Sequence, residues 1–137
     1  MSETTDARSL WIRVRLYSSI VIVCLSMLVM GALPKFVPGT LPGGVDMATQ
    51  WVELYNLPLW FMPVTGVIEL GAGLLVLHYR TRLLGGLLAA ATMLGAALVN
   101  VLAGEFAALG VNVFILVAAL IVIGSRKAQL SALLGRT

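Results

Sequence analysis

Charge is scarce in this chain. Of its 137 residues only 11% are charged, and six are acidic. A soluble domain carries about 25% charged residues, so this sequence could not cover a water-facing surface. Cysteine occurs once, as Cys24, which excludes an intrachain disulfide and a C-x-x-C redox pair. Histidine also occurs once, as His78. One chain therefore cannot supply both ligands of a bis-histidine haem, although assembly across chains could. No zinc-ligand spacing, P-loop or dinucleotide fingerprint is present. A hydrolytic Ser–His pair would have to join Ser26 in mid-span with His78 at a span's end, a poor geometry.

Apolar residues fill the space instead, at 60% of the chain with a mean hydropathy of +1.01. A hydrocarbon layer of about 30 Å needs roughly 20 helical residues per crossing. Blocks 16–36, 57–77, 83–104 and 106–125 meet that need. Their apolar positions run continuously, where a β-barrel strand would alternate. The sequence predicts an all-α, integral membrane four-helix transmembrane bundle over residues 16–125. A tail precedes it at 1–15, with the polar stretch 1–7 disordered, and a basic tail follows at 126–137. The first block follows Arg8, Arg13 and Arg15, as a signal peptide would. Its apolar core is longer, however, and "GALPKF" lacks the small-x-small cleavage pattern, so it reads as a retained anchor.

Basic residues orient the spans. If the chain crosses four times, Arg8, Arg13, Arg15, Arg80, Arg82, Arg126, Lys127 and Arg136 share one side. The other side has Lys35 with Asp46, Glu53 and Glu105. Both termini are therefore expected in the cytoplasm, for a multi-pass protein of the inner membrane. The pI near 9.5 reflects this topology, and no nucleic-acid partner is expected.

The longest connection, 37–56, begins with the irregular "VPGTLPGG" and continues as a short interfacial helix capped by Asp46. Met47, Trp51, Leu54 and Tyr55 share one face of it. Lying flat at the outer interface, these aromatics would anchor the chain, a belt that Trp60 and Phe61 extend. Trp11 and Tyr17 mark the inner interface. The alternative is a lid over a pocket opening outward. Small residues concentrate in spans two and three, with Gly85/Ala89 and Gly86/Ala90 as small-x-x-x-small pairs, so these spans should form a tight antiparallel hairpin.

Glu69 breaks the apolar text of span two, "MPVTGVIELGAGLLVLH" at 62–78. A charged group at mid-membrane costs at least about 2.5–3.5 kcal/mol and is a functional hypothesis by default. Depth counting places Ser26 and Thr92 in the same layer, Thr65 one turn further out, and Asn100 and Asn112 in the outer third. Lys35 closes span one at the outer boundary, where its stem can snorkel to lipid phosphate. Together these residues describe a polar cavity ending at Glu69. Asn and Thr also serve as plain interhelical glue, and a protonated Glu69 holding helices together is the structural alternative. His78, Arg80 and Arg82 form the cytoplasmic turn, as a topogenic and headgroup-contact signal or as a docking surface for a soluble partner.

Two stretches resemble a known family. "GALPKFVPG" at 31–39 is similar to the end of helix one in the DoxX-like membrane proteins, with Gly31 and Lys35 in the expected places. "LPLWFMPVTGVIELGAGLLVLHYRTRLLGGLLAAATMLGAAL" at 57–98 looks like that family's central hairpin. The resemblance runs from about residue 13 to 127 and implies a four-helix membrane bundle with cytoplasmic termini. Family members include membrane subunits of sulfur-compound:quinone oxidoreductases and partners of soluble redox enzymes. By position Lys35 and Glu69 match the family pattern best, with Asn100 and Asn112 weaker. Relatives with redox cysteine pairs differ from this chain, which has only Cys24.

The leading expectation is a non-catalytic subunit or scaffold of a quinone-linked redox system. It would carry no intrinsic cofactor, hold an isoprenoid quinone between helices, and act with a redox-enzyme partner or a second copy of itself. The alternatives are a membrane-embedded enzyme using Glu69 for proton transfer on an apolar substrate, a small transporter that would need oligomerisation, and a purely structural assembly factor.

Overall fold

Residues 2–30 contain neither Gly nor Pro, and acidic residues lie in their first turns, a combination that supports one long helix. In the computed structural model, which describes residues 2–39 and 46–126 with Ser131 and Gly135, that helix is α1 (Ser2–Leu25). It begins within the stretch expected to be disordered. The tail beyond Arg126 and the Pro/Gly-rich residues 40–45 lie almost wholly outside the described residues.

α1 continues without a break into a π-helical segment, Ser26–Ala32, and a last α-turn, Leu33–Phe36. Pro34 explains the change. In a regular α-helix its ring would meet the Met30 carbonyl, to which it has no N–H to offer. The wider turn, in which the Leu33 N–H donates to the Leu28 carbonyl five residues back, accommodates the ring and keeps the rod intact. A second π-turn, Gln50–Leu54, extends the short helix α2 (Met47–Thr49). Asp46 caps α2, accepting the Thr49 backbone N–H at 3.1 Å and its hydroxyl at 2.8 Å. These bonds hold the Asp46 carboxyl below its ordinary range.

α3 (Phe61–Leu77), α4 (Arg82–Ala103) and α5 (Phe106–Gly124) complete the fold, and there is no strand among the described residues. α3 starts later than the expected 57–77. Asn56 turns the chain with φ +50°. Pro58 and Leu59 then accept the N–H groups of Phe61 and Met62 in a turn. Ala7–Phe36, α4 and α5 are each long and apolar enough to cross a membrane. α3 is a shorter apolar helix of 17 residues, about 26 Å long.

α3 and α4 form the close hairpin expected, and Gly85 sits at its tightest point. A Cβ there would lie 2.4 Å from the Val76 nitrogen. At the other end, Gly104 adopts φ +76° and donates its N–H to the Asn100 and Val101 carbonyls, turning α4 directly into α5.

The two halves of the bundle differ. Near the α3–α4 turn, Val23, Ala72, Val76, Ala89, Ala119 and Val122 are fully buried and close-packed. Toward the Gly104 end the helices separate around a cavity. The outer surface along the helices is largely apolar, with Val67, Leu98, Leu102, Phe114 and Leu120 exposed. A lipid bilayer is the environment such a surface suits.

Candidate functional site

The cavity has a volume of about 570 Å³, and its wall draws on the π-turn and last α-turn that follow α1, on α2 with its own π-turn, and on α3, α4 and α5. Glu69, Lys35, Thr65, Thr92, Asn100 and Asn112, six polar side chains dispersed through the sequence, all lie on that wall, as does Ser26. Most of the remaining lining is apolar, including Met27, Met30, Ile68, Met93 and Ile115.

Lys35 and Glu69 form an ion pair in which Nζ donates to Oε2, and their side chains are only 7% and 6% exposed. Glycine makes room for it. A Cβ at Gly31 would lie 2.9 Å from the Glu69 carboxyl carbon, and one at Gly66 would lie 2.8 Å from the Phe36 ring. α1 and α3 therefore cross closely at the level of the carboxylate. Lys35 departs from the expectation of an outward, snorkelling lysine: its ammonium turns inward. At that crossing the neutralising carboxylate is within reach of its stem, and the Trp51 ring centroid lies 5.4 Å away as a second electrostatic partner.

Trp51 also departs from its expected role as a surface anchor. It is buried at 8% exposure and packs against Phe61, with ring centroids 6.2 Å apart, and edge-on against Tyr55 at 6.4 Å. α2 thus presents Met47, Gln50, Trp51 and Tyr55 to the cavity, while Leu54 is exposed. Sequence periodicity found the aromatic face but not its direction, and it missed Gln50, which has no apolar signal. Burial and the nearby Glu105 charge push the Tyr55 phenol up, so it is a neutral O–H group at the cavity wall.

Hydrogen-bond accounting separates the remaining polar groups. Thr65 donates to the Met62 carbonyl at 2.9 Å and Thr92 to the Leu88 carbonyl at 2.8 Å, each within its own helix. Their oxygens face other groups only as acceptors. The Trp51 Nε1–H and the Asn112 amide nitrogen are buried with no acceptor among the described residues. Such orphaned donors are uncommon in folded proteins.

The opposite end of the bundle is built differently. His78 and Arg80 are exposed. Arg82 turns back onto α3, its Nε donating to the Val76 carbonyl at 3.1 Å and an Nη to Leu77 at 3.4 Å, while the Thr81 hydroxyl donates to Leu75 at 2.9 Å. These donors satisfy the carbonyls that the end of α3 leaves open. Arg126 stacks on the Tyr79 ring at 3.4 Å and donates to its carbonyl at 2.7 Å, tying α5 to the turn. Arg82→Leu should accordingly lower stability by about 1–2 kcal/mol. Thermal unfolding in detergent would show this, and Arg80→Leu should leave the midpoint unchanged.

Among the described residues no group of three His, Cys, Asp or Glu side chains is placed to hold a metal ion. No curated protein and no solved structure matches the chain significantly. A family model does, from Ser19 to Val122, a range that takes in the ion pair, the glycine crossing and the cavity wall. On that match this chain, a small membrane protein with several apolar helices, belongs to the DoxX-like family.

Proposed function

We propose that the protein is a small membrane subunit or scaffold of a quinone-linked redox system, whose cavity holds the head of an isoprenoid quinone or a similar apolar ligand. The observation that carries this reading is the buried Lys35–Glu69 pair inside a cavity of otherwise apolar lining. A drug-sized or cofactor site has this character: a few hundred Å³ with few polar groups, placed to orient the occupant. The isoprenoid tail would leave between helices into lipid, where Ile68, Val99 and Val111 continue the apolar wall. With a single cysteine and a single histidine, the chain would receive or pass electrons through a partner redox protein.

The same reading places both termini in the cytoplasm and the cavity toward the outer face of the inner membrane, since Arg80, Arg82 and Arg126 gather at the opposite end. Native mass spectrometry of the protein released from its own membranes tests the ligand. An adduct of isoprenoid-quinone mass is expected on the wild type and should be lost in Glu69→Gln. A wild type that flies without any such adduct, while retaining bound phospholipid, would overturn the proposal.

A further inference from the structure

A second opening lies between α1 and α5, away from the Gly104 end, and shares no residue with the large cavity. It is an open groove of about 400 Å³. α1 contributes Ile12, Arg15 and Leu16, and α5 contributes Val117, Leu120 and Gly124. Each set has the three- and four-residue spacing of one helix face. Leu16 packs against the buried core, while Ile12, Val117 and Leu120 are half exposed or more. From Val117 to Gly124 the apolar wall runs about 10 Å. Nothing lies within 4 Å of a Cβ added at Gly124, so the groove is roomy there. The neighbouring Ser125 hydroxyl donates to the Val122 carbonyl at 2.6 Å and is committed. Arg15 is the one charged residue on the wall.

Charge decides what such a groove takes up. At this end of the bundle Arg82 and Arg126 spend their guanidinium groups on the α3–α4 turn. Arg15 is exposed and has neither an acceptor nor a carboxylate partner among the described residues. Asp6, the acid nearest to it in sequence, is nine residues earlier on α1, about 14 Å along the helix. Glu69 and Glu105 belong to the other half of the bundle, at the large cavity and the Gly104 turn. We infer that the α1–α5 groove binds an anionic phospholipid, its phosphate on Arg15 and an acyl chain along Val117 and Leu120. Basic pockets between membrane helices recognise anionic head groups in this way. A phosphatidylcholine offers the same phosphate but brings its own cation, which Arg15 repels. The groove therefore selects on the net charge of the head group.

The full chain, delipidated in detergent, would be titrated with dioleoyl phosphatidylglycerol or dioleoyl phosphatidylcholine and read by native mass spectrometry. One phosphatidylglycerol should bind about fivefold more tightly than phosphatidylcholine, the scale of one cation at a lipid head. Arg15→Gln should bring the two lipids within about twofold of each other. Gly124→Leu places a side chain in the groove and should weaken both lipids about fivefold. Its unfolding midpoint should not fall, because the new Cβ has open space around it. Arg13→Gln removes an exposed cation that is not on the wall and should leave both affinities unchanged. Equal binding of the two lipids to the wild type would overturn the inference. A preference kept in Arg15→Gln, one lost equally in Arg13→Gln, or affinities unmoved by Gly124→Leu would also overturn it. A lipid-free dimer that Gly124→Leu dissociates would do the same, since the occupant would then be a second copy of the chain.

Discussion

Gly85→Ala should abolish the close hairpin of α3 and α4, with a loss of about 3 kcal/mol or more. The added methyl would lie 2.4 Å from the Val76 nitrogen and 2.8 Å from the Leu75 carbonyl carbon. Overpacking against flexible side chains typically costs about 1–3 kcal/mol. Here the obstacle is backbone held in place by the Arg82 and Thr81 caps, so the helices must separate. Separation would also loosen the packing of Val76 and Ala89, which are fully buried beside it. The measurement is thermal unfolding in detergent, with Gly110→Ala as the control. That position has nothing within 4 Å of a new Cβ, and alanine favours helix by about 1 kcal/mol over glycine. A Gly85→Ala protein as stable as the control would mean that the hairpin is looser than described.

The second large effect concerns the ion pair. Lys35→Met strands the Glu69 carboxylate, and Glu69→Leu strands the ammonium, each in a site where the side chains are 7% and 6% exposed in the wild type. Removing one partner of a buried pair costs about 3–5 kcal/mol, because the other charge stays uncompensated. The double variant Lys35→Met/Glu69→Leu should recover most of this loss, since an apolar pair of similar volume suits an apolar wall. A double-mutant cycle on unfolding midpoints isolates the coupling, expected at about 2 kcal/mol or more. Additive single losses would show that the two charges do not act on one another. Stability regained in the double variant without regained ligand would separate the structural role of the pair from its role in the cavity.

Much of this architecture was legible from residue order alone. Hydropathy shows the apolar helices because the bilayer demands about 20 consecutive apolar residues, a local property of the chain. The hairpin was legible for a similar reason: small residues cluster at 85–97, and a short basic turn leaves the neighbouring helices nowhere else to pack. Glu69 stood out because a carboxylate in such text is expensive wherever its partner lies. Depth counting also grouped Glu69 with Thr65, Thr92, Asn100 and Asn112, since rise per residue converts position into height.

Direction and partnership were another matter. Lys35 near a span end reads equally well as a snorkelling anchor or as an inward partner. Only the crossing of α1 and α3 at Gly31 and Gly66 brings the carboxylate within reach. Trp51 on a short amphipathic helix reads as an interfacial anchor, and only its packing on Phe61 and Tyr55 turns it over the cavity. The first span was legible to residue 36, but the π-turn that carries the rod past Pro34 was not. Composition, the apolar helices and the costly acid are fixed by local chemistry, residue by residue. The inward lysine, the buried Trp51 indole and the orphaned Asn112 amide depend on contacts between helices distant in sequence, and those exist only once the chain has packed.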